Sequence, residues 1–266
     1  MRKTYRIVAP SYTEQSAGAK ALHRLCSSLQ KRGERADIWP MGKAPDFSLG
    51  EEDIVVYPEI VEGNPLNAKN VVRWLLYYAG AYRGNYIFPE TDQVWGYTTR
   101  IARAYQGKKA DGILFLPTVD ANVFVPPLKE ERKGSCFYAH KYRTFYGRVP
   151  DLHPKGSVEI TNLGQSREEI VRILQTSEVF YAYEDTAMIV ESVLCGCPVV
   201  CIPNPTFKEC CGMDDFSSGI AWGAAEIGRA KETVGRARRH YELRKDIFED
   251  QLTGFIERTQ KSFANV

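Results

Sequence analysis

Residues 177–202, Ser-Glu-Val-Phe-Tyr-Ala-Tyr-Glu-Asp-Thr-Ala-Met-Ile-Val-Glu-Ser-Val-Leu-Cys-Gly-Cys-Pro-Val-Val-Cys-Ile, constrain the fold more than any other stretch of the chain. They open on a short apolar run, 179–181, with strand length and aromatic bias. Polar Glu184, Asp185 and Thr186 follow, and Asp185 or Thr186 can cap a helix. Residues 187–194 form a compact helical run that Gly196 stops. Beyond Pro198, Val199-Val200-Cys201-Ile202 is the unbroken apolar run required of a parallel strand buried on both faces. Strand, helix and strand at this spacing make a βαβ unit, whose helix starts at the carboxyl edge of the sheet. The N–H groups of residues 185–187 then carry the positive end of the helix dipole and suit a phosphate or diphosphate. Glu191, further along the helix, suits the paired hydroxyls of a ribose.

The rest of the composition narrows the setting. A chain of 266 residues with 44% hydrophobic and 26% charged content has room for one large or two small domains of ordinary globular character. The formal net charge of +2 is too small to argue for nucleic acid as a partner. There is no run of 18 apolar residues, and the first six residues, Met-Arg-Lys-Thr-Tyr-Arg, lack the apolar centre of a signal peptide. A cytosolic protein is the expectation. Cys195, Cys197, Cys201, Cys210 and Cys211 fall close together, but their spacing matches none of the paired C-x2-C arrangements of zinc sites. Small thiols packed around a strand in a reducing compartment are expected instead of a metal centre.

The N-terminal half reads as strand (5–10), loop (11–18), helix to about residue 33, and strand (36–39). Ala21, Leu22, Leu25, Cys26 and Leu29 recur at helical spacing. Gly18 is a lone glycine without a G-x-G-x-x-G fingerprint, so no dinucleotide cofactor is expected. His23 lies on the polar flank of this helix. A strand at 53–57 runs into the Pro/Gly-bounded loop 58–65, which holds Glu59, Glu62 and Asn64 where α/β enzymes place function. The spacing of Val71, Val72, Leu75 and Leu76 predicts a helix over 66–79, with Arg73 beside its inner face. Trp74, Tyr77, Tyr78 and Tyr82 are read as core or contact surface, with a sugar-stacking platform as the alternative. A strand at 86–88, a helix over 92–105 and a strand at 112–117 complete this half. Pro126 and Pro127 break the crossing 118–133, which sets the expected domains at 1–125 and 126–266.

The second half restarts with a strand at 135–139, followed by His140, Lys141, Tyr142 and Arg143. A strand at 157–161 ends at Thr161 and Asn162, which can line a nucleobase pocket. Ser166-Arg-Glu-Glu169 is a capping box opening a helix to 175. Past residue 202 a loop-rich stretch holds Asp214 and Asp215, and from 221 the chain is read as helical. Seven Lys/Arg against two Glu lie between 229 and 245. A basic amphipathic helix there can lie on an anionic membrane, or it can be a solvated face.

The segment ending Glu191-Ser-Val-Leu-Cys-Gly-Cys-Pro-Val-Val200 resembles the donor-binding segment of GT-B nucleotide-sugar glycosyltransferases, of the family-4-like kind that builds bacterial surface polysaccharides. The run Tyr57-Pro-Glu-Ile-Val-Glu-Gly-Asn-Pro-Leu-Asn-Ala68, with Val-Val-Arg-Trp-Leu-Leu at 71–76, is similar to the N-terminal domain of such enzymes. The resemblance implies two Rossmann-like domains facing across a cleft, the first for the acceptor and the second for the donor. It implies transfer of a sugar from a nucleoside-diphosphate donor to a saccharide or lipid-linked acceptor, without a metal or cofactor. Glu191 would hold the ribose. Thr186, Asp185, Lys141 and Arg143 would hold the diphosphate, Thr161 and Asn162 the base, and Asn64, Gly18 and Ser16 the acceptor. Glu59 and Glu184 are the catalytic candidates, with Glu59 the base and Glu62 its substitute if the reaction inverts. The family's sugar-facing Glu sits eight residues before the ribose Glu. Here that position is Tyr183, and Glu184 is seven back. Two other readings share the donor site: a GT-B sugar-nucleotide epimerase and a non-catalytic nucleotide-sugar-binding subunit. Peripheral attachment to the inner membrane face through 229–245 is the accompanying expectation.

Overall fold

The computed structural model describes residues 2–14, 16–42, 46–128, 131–161 and 164–263. In chain order its elements are β1 (Tyr5–Ala9), α1 (Ala17–Lys31), β2 (Ala36–Pro40), β3 (Ile54–Pro58), β4 (Asn70–Leu75), β5 (Gln93–Gly96), α2 (Thr99–Ala104) and β6 (Gly112–Ile113). They continue with β7 (Ser135–Tyr138), α3 (His140–Tyr146), β8 (Val158–Glu159), α4 (Arg167–Thr176), β9 (Val179–Ala182), α5 (Met188–Leu194), β10 (Val199–Cys201), β11 (Ile220–Trp222), α6 (Ile227–Thr233) and α7 (Ala237–Ser262). Two compact units result: Met1–Thr118 with Arg244–Val266, and Val119–Leu243. The division falls after residue 118 where the sequence suggests 125, and residues from 244 onward group with the first unit. Among the described residues no helix is long and apolar enough to cross a membrane.

The first unit is a six-stranded sheet in the order β2-β1-β3-β4-β5-β6, with every pairing parallel. Alternation along the strands sends Tyr5, Ile7, Ala9, Ile54, Val56, Val72, Trp74 and Trp95 to one face. There they meet Leu22, Leu25 and Leu29 of α1 and Phe248, Leu252 and Phe255 of α7. The α7 side chains are integral to this core: Phe255 stacks on Tyr5 and meets Trp95 edge-on at 5.0 Å, and Thr259 bonds the Tyr5 hydroxyl at 2.7 Å. Ser16 caps α1 by accepting the Ala19 N–H at 3.2 Å.

The opposite face carries Val8, Val55, Tyr57 and Val71 and is packed by Trp39 of β2 and the loop residues Met41, Leu49, Ile60 and Leu66. No helix lies between β3 and β4, because residues 59–69 return the chain from one to the other without one, a short route for a parallel crossover. The helix expected over 66–79 is therefore strand β4. Its apolar run is short enough to suit either element, and burial on both faces decides for the strand. The helix expected over 92–105 divides into β5 and α2, and 86–88 is not a strand.

Arg73 of β4 sits inside this loop-covered face, 1% exposed. Its Nε pairs with Asp92 at 2.7 Å, and its terminal nitrogens donate to the carbonyls of Val61 and Gly63. The guanidinium lies 4.7 Å from the Tyr57 ring centroid and 4.9 Å from that of Phe88.

The second unit repeats the pattern in the order β11-β10-β9-β7-β8, again wholly parallel. Cys136, Tyr138, Phe180, Ala182, Val199 and Cys201 face Leu174, Ile189, Val193 and Tyr241. Phe137, Ala139, Val179, Tyr183 and Val200 face the other way, toward Ala230 of α6 and Tyr142 of α3. The capping box of α4 forms as the sequence suggests, with Ser166 and Glu169 bonding reciprocally. Gly196 stops α5 at φ +77°. The clustered cysteines are free thiols, buried at 195, 197, 201 and 210 and half-buried at 211.

Arg132 fixes the ends of two helices at once. It donates to the carbonyls of Leu174 (2.9 Å) and Ser177 (2.8 Å) near the end of α4, and to Cys195 (2.5 Å) at the end of α5. A cation suits helix C-termini, whose last carbonyls lack partners. Arg132→Ala is expected to cost about 2–4 kcal/mol, measured as a lowered urea midpoint. An unchanged midpoint would show the clamp to be ornamental.

The basic stretch 229–245 is not one helix. α6 ends at Thr233, a 3-10 turn spans Val234–Arg236, and α7 begins at Ala237. Gly219, at φ +77°, packs under Val234 at the break, where a Cβ would meet that residue at 2.9 Å. Two of the cations bond to main-chain carbonyls, Arg229 to that of Ile220 and Arg238 to that of Ala121, and Arg229 also pairs with exposed Glu226. Residue 221, expected to begin the helical tail, lies instead in strand β11.

Candidate functional site

Each sheet reverses its direction of growth at its first strand. In the first unit β2 lies on one side of β1 and β3 on the other; in the second, β8 and β9 flank β7 in the same way. The carboxyl ends of the two strands at such a reversal form the crevice where α/β sheets bind ligands. A buried carboxyl stands at each: Glu59 directly after β3, and Glu184 two residues after β9.

At the second unit's reversal point, α3 follows β7 with Ala139 as its cap residue and no side-chain cap of its own. Glu184 supplies the missing acceptor, taking the N–H of Lys141 at 2.5 Å and of Tyr142 at 3.3 Å. Burial raises the Glu184 pKa, and Lys141 and the two N–H groups oppose the rise. Asp185 turns inward to accept the Cys211 N–H at 2.7 Å, and burial raises its pKa too. Helix α5 starts at Met188, with Ala187 as its cap residue. Neither Asp185 nor Thr186 takes that place, and the Thr186 hydroxyl accepts the Met188 N–H at 3.4 Å. Residues 185–187 thus form a turn ahead of the helix. Among the described residues their N–H groups donate to no protein acceptor. Glu191 lies half-buried one turn later, its N–H bonded to the Ala187 carbonyl.

Around this turn the other candidates separate. Arg143 pairs with Glu159 on the edge strand at 2.5 Å. Thr161 follows that strand, its N–H bonded to Gln165 at 2.8 Å. Asn162 lies outside the described residues. Tyr183 is fully buried, its hydroxyl bonded to His153 Nδ1 (2.7 Å) and to the Pro150 carbonyl (3.0 Å). Burial lifts its pKa to about 12. It stands in the wall of the sheet edge as a packed aromatic residue.

At the first unit's reversal point the Glu59 carboxyl accepts the Leu76 N–H at 2.9 Å, just past the end of β4. Burial pushes its pKa up to about 7, against the lowering effect of the Leu76 and Tyr77 N–H groups. Gly84 (φ +83°) closes over it, and a Cβ at 84 would come within 1.9 Å of the Glu59 carbonyl oxygen. Gly18, in the first turn of α1, packs toward Leu76, which brings Gly18 and the Ser16 cap to the same edge. His23 Nε2 donates to the Pro10 carbonyl at 2.9 Å beside them. Tyr77 stacks on Tyr82 with centroids 5.2 Å apart and meets Tyr78 edge-on. Asn64 ties up the 59–69 loop from within. It accepts from the Tyr57 hydroxyl and the Ala68 N–H and donates to the Ala68 carbonyl. Glu62 is exposed.

A strand order of 2-1-3-4-5, present in both sheets, defines the doubly wound, Rossmann-like α/β class. Within that class the chain matches the crystal structure of a glycosyltransferase from Rickettsia africae ESF-5, with a TM-score of 0.58, 11% identity and 100% of both chains covered. At that identity the likeness is one of fold. The glycotransferase of kitacinnamycin matches at a TM-score of 0.44 and 10% identity over 99% of this chain and 96% of its own, too distant to add to the argument. No protein-family model and no curated protein sequence matches the chain.

Proposed function

We propose that the chain is a glycosyltransferase of the GT-B kind, moving a sugar from a nucleoside-diphosphate donor to a saccharide or lipid-linked acceptor of cell-surface polysaccharide synthesis. The observation that carries this reading is the buried carboxyl at the reversal point of each of two like-ordered sheets, with Glu59 held at a pKa of about 7. A base titrating there combines availability at neutral pH with proton-accepting strength. The fold shared with a known glycosyltransferase supports the same reading.

In this reading the second unit binds the donor. The 185–187 turn offers its N–H groups and the Thr186 hydroxyl to the diphosphate, Lys141 adds a cation, and Glu191 takes the ribose hydroxyls. Arg143 and Thr161 stand at the β8 end, toward the base. The first unit binds the acceptor near Ser16, Gly18 and Glu59, with the stacked Tyr77 and Tyr82 rings as a surface for a sugar face. Glu59 takes the proton of the acceptor hydroxyl, whose oxygen attacks the anomeric carbon. The bond to the diphosphate oxygen breaks, and the N–H groups and Lys141 meet the charge that develops on it. A side-chain base of this kind goes with inversion at the anomeric carbon, and no metal is called for.

A panel of nucleotide sugars tested by thermal shift decides the matter. A true donor at 100 times its Kd stabilises by about 2.7 kcal/mol, and Glu191→Ala is expected to abolish that shift, read against the variant's own unliganded midpoint. A panel with no stabilising member, or an undiminished shift in the variant, would remove the donor assignment. A donor-binding subunit without transfer is the second reading, favoured by the two N–H groups already bonded to Glu184. Donor binding with neither transfer nor hydrolysis would establish it.

A further inference from the structure

In the first unit the chain leaves β4 through a stretch dense in aromatic side chains, Tyr77, Tyr78, Tyr82 and Tyr86. Tyr86 is the most exposed of them at 69%, and Ile87 beside it stands at 59%. The surrounding chain fixes this exposure in place. Gly84 packs against the Glu59 carbonyl, Asn85 Oδ1 accepts the Gly63 N–H at 2.8 Å, and the Phe88 N–H donates to the Tyr105 hydroxyl at 2.9 Å. The Tyr86 ring lies against Gly80, where a Cβ would come within 2.4 Å of it. Gly80 is also at φ +72°, a conformation that suits glycine. The backbone at 80 thus forms a seat for the ring while most of the side chain stays in water. Gly80 belongs to the turn that the Ala81 N–H closes on the Tyr78 carbonyl at 3.1 Å, and Tyr82, which follows, stacks on Tyr77. The Tyr77 N–H in turn bonds the Glu59 carboxyl. Contact by contact, the series runs from Glu59 through Tyr77 and Tyr82 to the Gly80 seat and Tyr86.

A tyrosine ring offers an apolar face with a polar tip, which suits the C–H face of a sugar and its hydroxyls. Arg83 and Asn85, both exposed, place further polar groups beside the ring. Other occupants fit less well. Residues 80–90 carry one cation, Arg83, and one acid, Glu90, whereas a nucleic-acid strand or an anionic bilayer is drawn by net positive charge. Three exposed apolar side chains, Tyr82, Tyr86 and Ile87, also fall far short of the roughly 20–30 residues a side of a stable protein interface. We infer that Tyr86 forms a second acceptor subsite, which holds the sugar unit next to the one receiving the transferred sugar, so that the acceptor is an oligosaccharide. The inference deepens the proposed acceptor role of the first unit and rests on it. The Tyr77–Tyr82 pair beside Glu59 takes the reacting unit, and Tyr86 takes its neighbour. A monosaccharide fills only the first position and forgoes the second contact.

An array of monosaccharides to tetrasaccharides, built from hexoses, deoxyhexoses and N-acetylhexosamines, is probed with the intact protein in the absence of donor. Affinity is expected to rise about tenfold from one sugar unit to two or three, read on the unaltered protein. Tyr86→Ala is expected to remove that gain, bringing the longer ligands to the affinity of their monosaccharides, and Tyr86→Trp to retain it. Both variants alter an exposed ring and should keep the unfolding midpoint. In turnover, Tyr86→Ala is expected to raise KM for oligosaccharide acceptors and leave kcat in place, the mark of lost binding common to ground and transition states. No binding anywhere on the array, equal binding of short and long ligands, or undiminished binding by Tyr86→Ala would each overturn the inference. So would a dimer in light scattering that Tyr86→Ala disperses, since a second copy would then cover the ring. Oligosaccharide binding without transfer from any nucleotide sugar would instead keep the subsite and remove the transferase reading. Transfer to monosaccharides as efficient as to oligosaccharides would do the reverse.

Discussion

Arg73→Ala is expected to cost the first unit about 3–5 kcal/mol, a large part of the 5–15 kcal/mol that holds a typical domain folded. The substitution leaves Asp92, 4% exposed, as a buried charge without its partner. It strands the Val61 and Gly63 carbonyls and opens a void between the Tyr57 and Phe88 rings. The cost comes from breaking the pair, since a buried ion pair replaced whole by apolar groups of like volume is often neutral. Arg73→Met with Asp92→Leu should therefore recover much of the loss. Urea unfolding followed by circular dichroism reads both variants. A cost below about 1 kcal/mol for the single variant would mean that Arg73 behaves as a surface charge.

Glu59→Gln is expected to lower turnover about 10²–10⁴-fold while the donor-induced thermal shift persists. The same substitution should stabilise the protein at alkaline pH. The Glu59 pKa is raised by burial to about 7, so between its unfolded value and 7 the folded state holds the extra proton. Its contribution is fully present below the unfolded pKa and is lost as pH rises through 7. At pH 8 the wild type thus carries a buried carboxylate at a cost of about 3 kcal/mol, which glutamine avoids while still accepting the Leu76 N–H. At pH 5 the two proteins should be nearly equal in stability. Wild-type turnover should rise as pH passes 7 and the base ionises. A variant that keeps its rate, or equal stabilities at pH 5 and 8, would remove Glu59 as a buried base.

These two residues show where sequence reading succeeds and where it stops. The βαβ unit around 177–202 is legible because a breaker, Pro198, and a stop, Gly196, punctuate apolar runs of unequal length, and β9, α5 and β10 form there. Glu59 can be picked out as a candidate because a Pro/Gly-bounded acid after a strand is a common place for function, and its position directly after β3 is legible. Its raised pKa is not, since the burial that causes it arises only when distant parts of the chain pack around the carboxyl in the folded state. Arg73 reads as a flanking charge because Val71, Val72, Leu75 and Leu76 also satisfy helical spacing. The missed signal is a lone cation inside a run apolar on both sides, which in a strand demands a buried acid. Asp92 is that acid, at a sequence distance no local pattern spans. The role of Arg132 is hidden for the same reason, because its acceptors are three main-chain carbonyls at the ends of two distant helices.

The last helix has a bearing on biosynthesis. Phe248, Leu252, Phe255 and Phe263 complete the core of the first unit, yet they are translated after everything from Val119 to Leu243. A ribosome-bound chain can therefore assemble its second, contiguous half while the earlier half waits with α1 alone on that side of its sheet and the area under α7 uncovered. The usual N-to-C order of domain folding during synthesis would then be reversed, and the waiting sheet would be the species that chaperones have to shield.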